Sequence, residues 1–439
     1  MAILAVDVGS SKTTAIIAEN NGNLTVSGVG ISKSNGIKKG IITNIEEASK
    51  AIKNAVNDAK RVAGIELSSA VISISGAYTK SIKSYGIVNV PNKEVTLKEI
   101  NRAINSAMIN AAVPSDYVPI QAIPYNFKLD DSSEIEDPIG MSGSRLEVTL
   151  HIIIAQKSGL DNLKKTFKLA GLKIDKIVNS AYASSLAVLK EDEKELGVGV
   201  IDIGAATCDI AVFVNKALSY TDYLPIGSHH ITHDLSIALH TTLKDAEKIK
   251  LDFEDYVNNS EDLIEISVIG NENEKQKASI STITQVISAR VEETFLLLNK
   301  KIDDSKLKDK IGTGIVLTGG FTNFYNVKEI ASNFFDGLPV RIGYPKEIEG
   351  LVKNLKTPEF STAIGLLLYA NGGNNKYEKD SNQNFNSLDL EKTNKVESEE
   401  LFNKKNEKDE KQELADIVKK VNKKTNPFKK FINWINNLF

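Results

Sequence analysis

The sequence predicts an α/β protein built from two similar halves. Up to about Ala370, short runs rich in β-branched residues alternate with amphipathic stretches, which is the pattern of α/β units. The segment 5–13 (AVDVGSSKT) is echoed at 200–207 (VIDIGAAT), and each is typical of a strand, an Asp-x-Gly turn and a second strand. With 41% hydrophobic residues in 439, the chain can bury sizeable cores. We therefore expect two similar halves, each presenting a tight turn to a shared cleft.

The individual elements follow from the spacing of apolar residues. Short β-branched runs predict buried or half-buried strands at 3–8, 14–18, 70–75, 198–203, 210–214 and 314–317. Apolar residues near helical spacing predict helices at 45–62, 160–169 and 245–253. Strands and helices are thus expected in both halves.

The composition disfavours several classes of protein. The 54 Lys and Arg nearly balance the 57 Asp and Glu, so the chain lacks the positive charge of generic nucleic-acid-binding proteins, and no nucleic-acid partner is expected. A single cysteine allows no intramolecular disulfide, and the N-terminal residues do not resemble a secretory signal, which predicts a cytosolic protein. The longest apolar runs fall well short of the roughly 18 residues of a spanning helix, so any membrane contact is expected to be peripheral.

The C-terminal part of the chain has a different character. A segment rich in Asn, Lys, Glu and Ser begins at Asn371 and predicts a disordered linker over 371–422. Residues 371–416 carry 8 Lys against 12 acidic residues, whereas 417–439 carry 6 Lys and no acidic residue. The net charge therefore changes from −4 to +6 just before the end.

The last residues, 423–439, predict a membrane-binding amphipathic helix. Asn426 is a suitable N-cap, and Pro427 suits the first helical position. At about 100° per residue, seven apolar side chains share an arc of roughly 160°: Phe428, Phe431, Ile432, Trp434, Ile435, Leu438 and Phe439. A helix of this kind, with Lys residues nearby, fits those that lie at the surface of anionic membranes. The alternative is a helix that docks in a partner's groove or folds back onto the core.

The two Asp-x-Gly turns carry the residue types that bind a magnesium–nucleotide complex. Glycine and small side chains let backbone N–H groups approach a phosphate, while hydroxyls and a lysine add donors and charge. The candidate phosphate-binding residues are Gly9, Ser10, Ser11, Lys12, Thr13, Gly204, Ala205, Ala206 and Thr207. Asp7 and Asp202 end their strands and would hold a hydrated Mg²⁺ from both sides. Either turn alone is better explained as an ordinary hairpin with a capping Asp, and it is the pair that favours a nucleotide.

Two further segments are candidates for contacts with the nucleoside. A predicted strand runs into Gly319, Gly320 and Phe321, where the double glycine would let a base or ribose lie against bare backbone. Glu247 and Lys250 lie three residues apart on one face of a predicted helix and can both reach a ribose or adenine. An ion pair on a surface helix is the alternative explanation for these two residues.

The order of these motifs resembles the superfamily of actin, sugar kinases and heat-shock chaperone ATPases over roughly 1–370. Within that superfamily the chain resembles the bacterial FtsA cell division family, through 137–147 (DPIGMSGSRLE), 318–321 (TGGF) and 361–369 (STAIGLLLY). The resemblance implies an actin-like fold, binding of ATP and Mg²⁺, and actin-like filaments. It also implies a C-terminus on the inner face of the cytoplasmic membrane at the division septum, recognition of the FtsZ C-terminal peptide, and recruitment of later division proteins.

The resemblance also divides the chain into parts. The first core half is assigned to 1–80 and 157–197, with part of 356–370 as an optional addition, and the second to 198–225 and 302–370. The other parts are the inserted subdomain 81–156, the small subdomain 226–301, the linker 371–422 and the helix 423–439. In this family the small subdomain binds the FtsZ peptide, and Arg290 there suits an acidic partner. A surface or filament-interface role is the alternative for Arg290.

Two departures from the superfamily pattern predict an ATPase that is slow at most. Relatives carry a Glu in the first connecting helix that orients the attacking water, whereas this chain has Ser180. Many relatives have Gly-Gly-Gly-Thr in the second loop, whereas Ala205 and Ala206 here carry methyl groups that would crowd a phosphate.

Other features leave different explanations open. His229, His230, His233 and His240 lie within twelve residues, but no Cys or paired Glu completes a metal site, so we interpret them as polar residues near the cleft. Cys208 has no evident His partner and is interpreted as a small buried residue. A small-molecule kinase of the same superfamily and an MreB-like filament remain alternative functions; the first usually lacks a basic amphipathic tail and the second normally lacks the long linker.

Overall fold

Two large sheets and one inserted sheet organise the molecule. The computed structural model describes residues 2–258, 262–373 and 375–385. The chain begins with β1 (Ala2–Val8), β2 (Lys12–Asn20), β3 (Leu24–Lys33), β4 (Ile37–Lys38), β5 (Ile41–Ile42), α1 (Ile45–Ala63) and β6 (Ser69–Ile74). An inserted segment follows, with β7 (Thr79–Asn89), α2 (Leu97–Asn110), β8 (Tyr117–Leu129), β9 (Ser132–Ile135) and β10 (Arg145–Gln156). The chain returns to the first half with α3 (Lys157–Leu169), β11 (Lys173–Asn179), α4 (Ser180–Val188) and α5 (Glu191–Leu196).

The second half contains the remaining elements. Its sheet and helices begin with β12 (Val198–Ile203), β13 (Cys208–Val214), β14 (Ala217–Leu224), α6 (Ser228–Ala238), α7 (Leu243–Leu251) and α8 (Phe253–Asn258). They continue with β15 (Leu263–Val268), β16 (Asn271–Ser279), α9 (Ile280–Asp304), β17 (Ile315–Thr318), α10 (Val327–Ser332), β18 (Val340–Ile342) and α11 (Ser361–Ala370). Short 3₁₀ turns lie at Gly76–Tyr78, Lys308–Lys310, Gly320–Asn323, Lys353–Leu355 and Pro358–Phe360.

The two large sheets share one topology. The strand order is β11-β6-β1-β2-β3 in the first half and β14-β13-β12-β17-β18 in the second. In each, three consecutive strands form an antiparallel meander, and the first of the three also pairs in parallel with a later strand. The prediction of an α/β fold with two similar halves is confirmed.

Helix α1 shows how local sequence fixes an element of the first half. Its N-cap, Asn44, accepts hydrogen bonds from the backbone N–H groups of Glu46 and Glu47, a contact worth about 1 kcal/mol. Gly64 ends the helix in the left-handed conformation, with φ of 66°. One face is buried and carries Ala48, Ser49, Ala51, Ile52, Ala55, Val56 and Ala59. The helix predicted at 45–62 therefore forms almost as expected.

Two clusters of buried side chains form the hydrophobic core. One joins β1, β2, β6, α1, α3, α4 and α11 and continues onto residues of β12, β13, β14 and β17. The other joins β12, β13, β17, α6, α7 and α9. In the described part of the chain, every helix is too short or too polar to cross a membrane. The cleft between the two sheets lies where β1 and β12 end.

The inserted segment folds as a sheet of its own. Its strand order is β7-β10-β8-β9, all neighbours are antiparallel, and α2 packs against it. The insert touches the second half at β14, where buried His151 lies 3.3 Å from the Thr221 hydroxyl and Ser81 donates to the Thr221 carbonyl. Burial lowers the pKa of His151 to about 3, so this contact is made by a neutral imidazole.

The predicted disordered linker is wrong over residues 375–385. These residues lie against the first half and the insert, and the backbone of Lys379 exchanges two hydrogen bonds with Ala122 of β8. Tyr377 and Phe385 are both 2% exposed and anchor the segment. Glu378 is fully buried and accepts hydrogen bonds from Tyr182, Tyr369 and Gln121. Two aromatic anchors and one satisfied carboxyl group thus hold a segment of low overall hydrophobicity.

The rest of the predicted linker and the whole predicted amphipathic helix, 423–439, lie outside the described residues. Both remain predictions from the sequence.

Candidate nucleotide-binding cleft

The two Asp-x-Gly turns have the same geometry in the structure. In the first, the Gly9 N–H donates to the Lys12 carbonyl at 3.1 Å; in the second, the Gly204 N–H donates to the Thr207 carbonyl at 2.9 Å. Each hydrogen bond closes a two-residue loop, Ser10 and Ser11 in one and Ala205 and Ala206 in the other. The β1–β2 and β12–β13 hairpins therefore present matching loops.

Both loops line one cavity of about 330 Å³. Of the predicted ATP and Mg²⁺ residues, the cavity is lined by Asp7, Gly9, Ser10, Ser11, Lys12, Asp202, Gly204, Ala205, Ala206, Thr207, Glu247, Lys250, Gly319, Gly320 and Phe321. Thr13 is the exception, because its side chain is fully buried and its hydroxyl lies 3.0 Å from that of Ser34. Thr13 follows Lys12 in β2, and neighbouring side chains of a strand point to opposite faces. The structure therefore places the Thr13 hydroxyl in the protein interior and not on the cavity wall, and its contact with a phosphate stays a prediction.

Three aspartates converge on the cavity, and the sequence interpretation missed one of them. Asp7 accepts a hydrogen bond from Ser73 at 2.8 Å, and Asp202 accepts one from Thr362 at 2.9 Å. The third, Asp209, accepts the Gly76 N–H at 2.8 Å. It lies two residues after Thr207 in β13, so the alternation of the strand could have identified it.

Burial and mutual repulsion make the ionised forms of these aspartates unfavourable. Burial raises the pKa of Asp7, and burial together with the neighbouring carboxylate of Asp209 raises that of Asp202 to about 7. The pKa of Asp209 rises to about 6, mainly through burial. A divalent cation would relieve this repulsion. In the described residues, no group of three or more His, Cys, Asp or Glu side chains could hold a metal ion. Carboxylate oxygens are acceptors for the water molecules that Mg²⁺ retains.

The two glycines after β17, Gly319 and Gly320, have different roles in the cavity wall. Gly319 has a φ of 89°, and a Cβ there would lie 2.3 Å from the Asp202 carboxylate, so only glycine fits. A Cβ at Gly320 would meet only the Cβ of Glu359, at 3.6 Å. Gly319 therefore fixes the backbone, whereas Gly320 leaves open space in the cavity wall.

Aromatic rings form the adjacent wall. Phe321 stacks on Phe324, with ring centroids 5.3 Å apart, and Phe324 stacks on Phe253 at 5.6 Å. All three line the cavity, as does Tyr325. Only Phe321 was predicted, because the other rings reach this wall through the packing of α8 against the turn after β17.

Glu247 and Lys250 form an ion pair of 2.8 Å in α7, and Lys250 also donates to the Thr232 hydroxyl at 3.1 Å. Both lie at the edge of the cavity. The pair therefore combines the two explanations offered by the sequence: it is ion-paired, and it faces the cleft.

Lys12 has partners that the sequence did not predict. Its ammonium group lies 2.6 Å from the Glu359 carboxylate and 3.5 Å from the centroid of the Phe360 ring. Glu359 is 347 residues away in the chain and also lines the cavity. No local pattern could have revealed this contact.

Ser180 lies at the first position of α4 and lines the same cavity. Its hydroxyl donates to the Ile74 carbonyl at 3.1 Å. The position from which relatives are expected to supply a carboxylate therefore carries a hydroxyl that is already engaged by the backbone.

The structure also places Cys208 and the four clustered histidines. Cys208 is buried, its thiol donates to the Ile226 carbonyl at 3.0 Å, and burial raises its pKa well above the usual value, which argues against a nucleophile. His229, His230 and His233 lie on α6 and His240 follows it, and none belongs to a metal-binding group in the described part of the chain.

Arg290 lies in α9, away from the cleft, beside a shallow groove between α6 and α9. Its guanidinium is held by both carboxylate oxygens of Asp234, at 2.5 and 3.1 Å, and by Glu293. The groove is also lined by Ile237, Ala238, Val286 and Ala289, and Ile237 is 72% exposed. The groove thus combines an apolar surface with a paired cation.

Comparisons with known proteins identify the family. The family model described as "Cell division protein FtsA" matches residues 199–365, and that described as "SHS2 domain inserted in FTSA" matches 76–154. The cell division protein FtsA of Helicobacter pylori is 38% identical over 412 residues, covering 86% of this chain and 84% of the relative. That of Neisseria meningitidis is 39% identical over 372 residues, covering 83% and 89%. The chain belongs to the FtsA family.

Solved structures support the actin-like fold of this FtsA-family chain. The PilM–PilN type IV pilus biogenesis complex matches with a TM-score of 0.60 and 16% identity, covering 83% of this chain and 97% of the other. MreB5 of Spiroplasma citri bound to ADP matches with a TM-score of 0.50 and 13% identity, covering 84% and 96%. At these identities the matches establish the fold alone. The predicted actin-like fold with an inserted subdomain is confirmed.

Proposed function

We propose that this FtsA-family protein binds ATP with Mg²⁺ in the cleft and uses the nucleotide as a switch for actin-like self-assembly. Assembly takes place on the inner face of the cytoplasmic membrane at the division septum, where the protein tethers FtsZ and recruits later division proteins. The observation that carries the proposal is the pair of matched hairpins that place Asp7 and Asp202 at one cavity. Family membership supports the role in cell division.

Each wall of the cavity has a role in this proposal. The loop N–H groups and hydroxyls of the two hairpins face the phosphates, and Lys12 neutralises their charge. Asp7, Asp202 and Asp209 would hold Mg²⁺ by accepting hydrogen bonds from its water molecules. Phe321 and the open space at Gly320 border the base, while Glu247 and Lys250 reach the ribose. When bound, Mg²⁺ offsets the negative charge of both the carboxylates and the phosphates.

The central test combines nucleotide binding with assembly. We expect isothermal titration to detect ATP only with Mg²⁺ present, and electron microscopy to show filaments on anionic liposomes with ATP. FtsZ should sediment with these liposomes when the protein is present and stay in solution when it is absent. A protein that fails to bind Mg²⁺–ATP, or that binds it without assembling, would contradict the switch.

The cleft predicts slow ATP turnover. Because Ser180 replaces a carboxylate and its hydroxyl is bound to Ile74, the cavity lacks a base at the position that orients the attacking water. We expect steady-state phosphate release far below about 10 s⁻¹, the median for enzymes. The Asp202→Asn variant serves as the background control. Rapid turnover, or rapid phosphorylation of a small molecule, would contradict this prediction and favour a kinase.

We further propose that the groove beside Arg290 binds the acidic C-terminal peptide of FtsZ. The exposed side chain of Ile237 can receive apolar residues, and Arg290 can exchange its intramolecular partners for a carboxylate of the peptide. Lys and Arg at such positions steer acidic partners as well as bind them.

We expect Arg290→Glu to weaken peptide binding at least tenfold, about 1.4 kcal/mol, because three carboxylates would then face an acidic peptide. Fluorescence anisotropy of a labelled FtsZ C-terminal peptide measures this. The matched control is Arg61→Glu, an exposed arginine in an ion pair with Asp58 on α1. Equal affinity of the Arg290 variant and the parent would exclude this groove.

A further inference from the structure

The charge of the cavity wall poses a problem for an anionic ligand. Its acidic lining residues are Asp7, Asp202, Asp209, Glu247, Glu254 and Glu359, whereas its cationic ones in the described part of the chain are Lys12 and Lys250. Both lysines already have a carboxylate partner, Glu359 for Lys12 and Glu247 for Lys250. A triphosphate that enters this cavity therefore finds no lysine without a counterion.

The partner of Lys12 is held by a rigid backbone. Glu359 lies in the 3₁₀ turn Pro358–Phe360, and the Pro358 carbonyl accepts the Gly319 N–H at 3.2 Å. Ser361, the residue that follows this turn, has its hydroxyl 2.7 Å from that of buried Thr318. The turn is thus fastened to the end of β17 on both sides of Glu359.

An aromatic ring and a carboxylate both contact the ammonium group of Lys12. The face of the Phe360 ring lies 3.5 Å from the lysine nitrogen, and one oxygen of Glu359 lies 2.6 Å from it. The other oxygen of Glu359 accepts a hydrogen bond from Thr357 at 3.3 Å. The Glu359 side chain is 36% exposed, so its carboxylate can rotate towards solvent while its backbone stays in place.

We propose that Glu359 is a built-in competitor of the nucleotide phosphates for Lys12, and that nucleotide binding exchanges one anion for the other. In the empty cleft, Glu359 positions Lys12 on Phe360 and neutralises it. When a phosphate binds, the Lys12 ammonium group stays over the Phe360 ring and exchanges the Glu359 carboxylate for the phosphate. Glu359 therefore lowers the affinity for nucleotide, so half-saturation of the cleft requires a higher nucleotide concentration.

This inference rests on the proposed binding of Mg²⁺–ATP, and titration calorimetry tests it. We expect Glu359→Gln to bind Mg²⁺–ATP about fivefold more tightly than the parent, which is the upper range for losing one partly exposed ion pair. The matched control is Glu347→Gln, which removes a carboxylate from an ion pair with Lys356 in the same region but outside the cavity. The control should bind as the parent does.

A double variant separates competition from simple repulsion. In a Lys12→Met background there is no ammonium group to compete for, so we expect Glu359→Gln to change the affinity by less than twofold. An equal gain with and without Lys12 would show that Glu359 only repels the phosphates, and would overturn the exchange. Unchanged or weaker binding by Glu359→Gln alone would also overturn it, whereas a parent that does not bind Mg²⁺–ATP would overturn the cleft assignment as well.

Discussion

The Asp202→Asn variant is expected to lose Mg²⁺-dependent ATP binding while its fold is preserved. Asparagine keeps the size of the side chain and an oxygen that can accept the Thr362 hydroxyl, but it removes one of the charges that face the cation. We expect the affinity for ATP in Mg²⁺ to fall about a hundredfold, or about 2.7 kcal/mol, because charge-assisted contacts of this kind contribute 1.5–3 kcal/mol each and a buried site amplifies them.

The same substitution should leave the thermal stability of the protein unchanged or raise it, although it lowers the affinity for ATP. The pKa of Asp202 is raised to about 7 by burial and by Asp209, so the folded protein binds this proton more tightly than the unfolded chain. Ionisation of Asp202 therefore destabilises the fold progressively as the pH rises from about 4 to about 7. Asparagine cannot ionise, so in the absence of nucleotide and Mg²⁺ the melting temperature of the variant should equal or exceed that of the parent at pH 8.

Titration calorimetry and thermal melting together check this prediction. Chelation of Mg²⁺ by EDTA supplies the control, because it should weaken ATP binding by the parent but have little further effect on Asp202→Asn. A variant that binds Mg²⁺–ATP like the parent would exclude the role of Asp202. A variant that loses binding only because its melting temperature collapses would show that Asp202 is structural.

The sequence predicted those parts of the site whose geometry depends only on neighbouring residues. The two Asp-x-Gly turns form hairpins because glycine and small residues close a two-residue loop between strands, and this geometry needs no distant partner. Some of the cavity residues that were missed, unlike Asp209, come from distant parts of the chain. Thr362 and Glu359 reach Asp202 and Lys12 only because α11 and the turn before it pack between the two halves. The local sequence around each of these residues contains no signal for such pairs.

The segment 375–385 was predicted incorrectly for a related reason. Composition averages a segment, whereas burial depends on single residues and on their partners. Tyr377 packs edge-on against Phe127 at 5.7 Å. The buried carboxyl group of Glu378 accepts hydrogen bonds from Tyr369, nine residues away in the chain, and from Tyr182, 196 residues away. Without these contacts, the low hydrophobicity of residues 375–385 would predict a segment without fixed structure.

The C-terminal residues give the other prediction with a large expected effect. We expect Phe431→Glu combined with Trp434→Glu to abolish the binding of the protein to anionic liposomes. These residues lie outside the described part of the chain, so the prediction rests on the apolar arc of the sequence. Each large apolar side chain contributes about 1.5–3 kcal/mol when buried, whereas each Lys near an anionic surface contributes about 1 kcal/mol.

The salt dependence and a matched control test the orientation of the helix. Because apolar burial dominates, the double variant should fail to sediment with liposomes at both low and high salt, while its ATP affinity stays that of the parent. Asn433→Glu combined with Asn437→Glu adds the same two charges to the opposite side of the predicted helix, so we expect it to bind liposomes nearly as well as the parent does. Equal loss in both double variants would show that charge alone, and not an apolar face, governs the interaction. Equal binding by Phe431→Glu/Trp434→Glu and the parent would show that the membrane contact lies elsewhere in the chain.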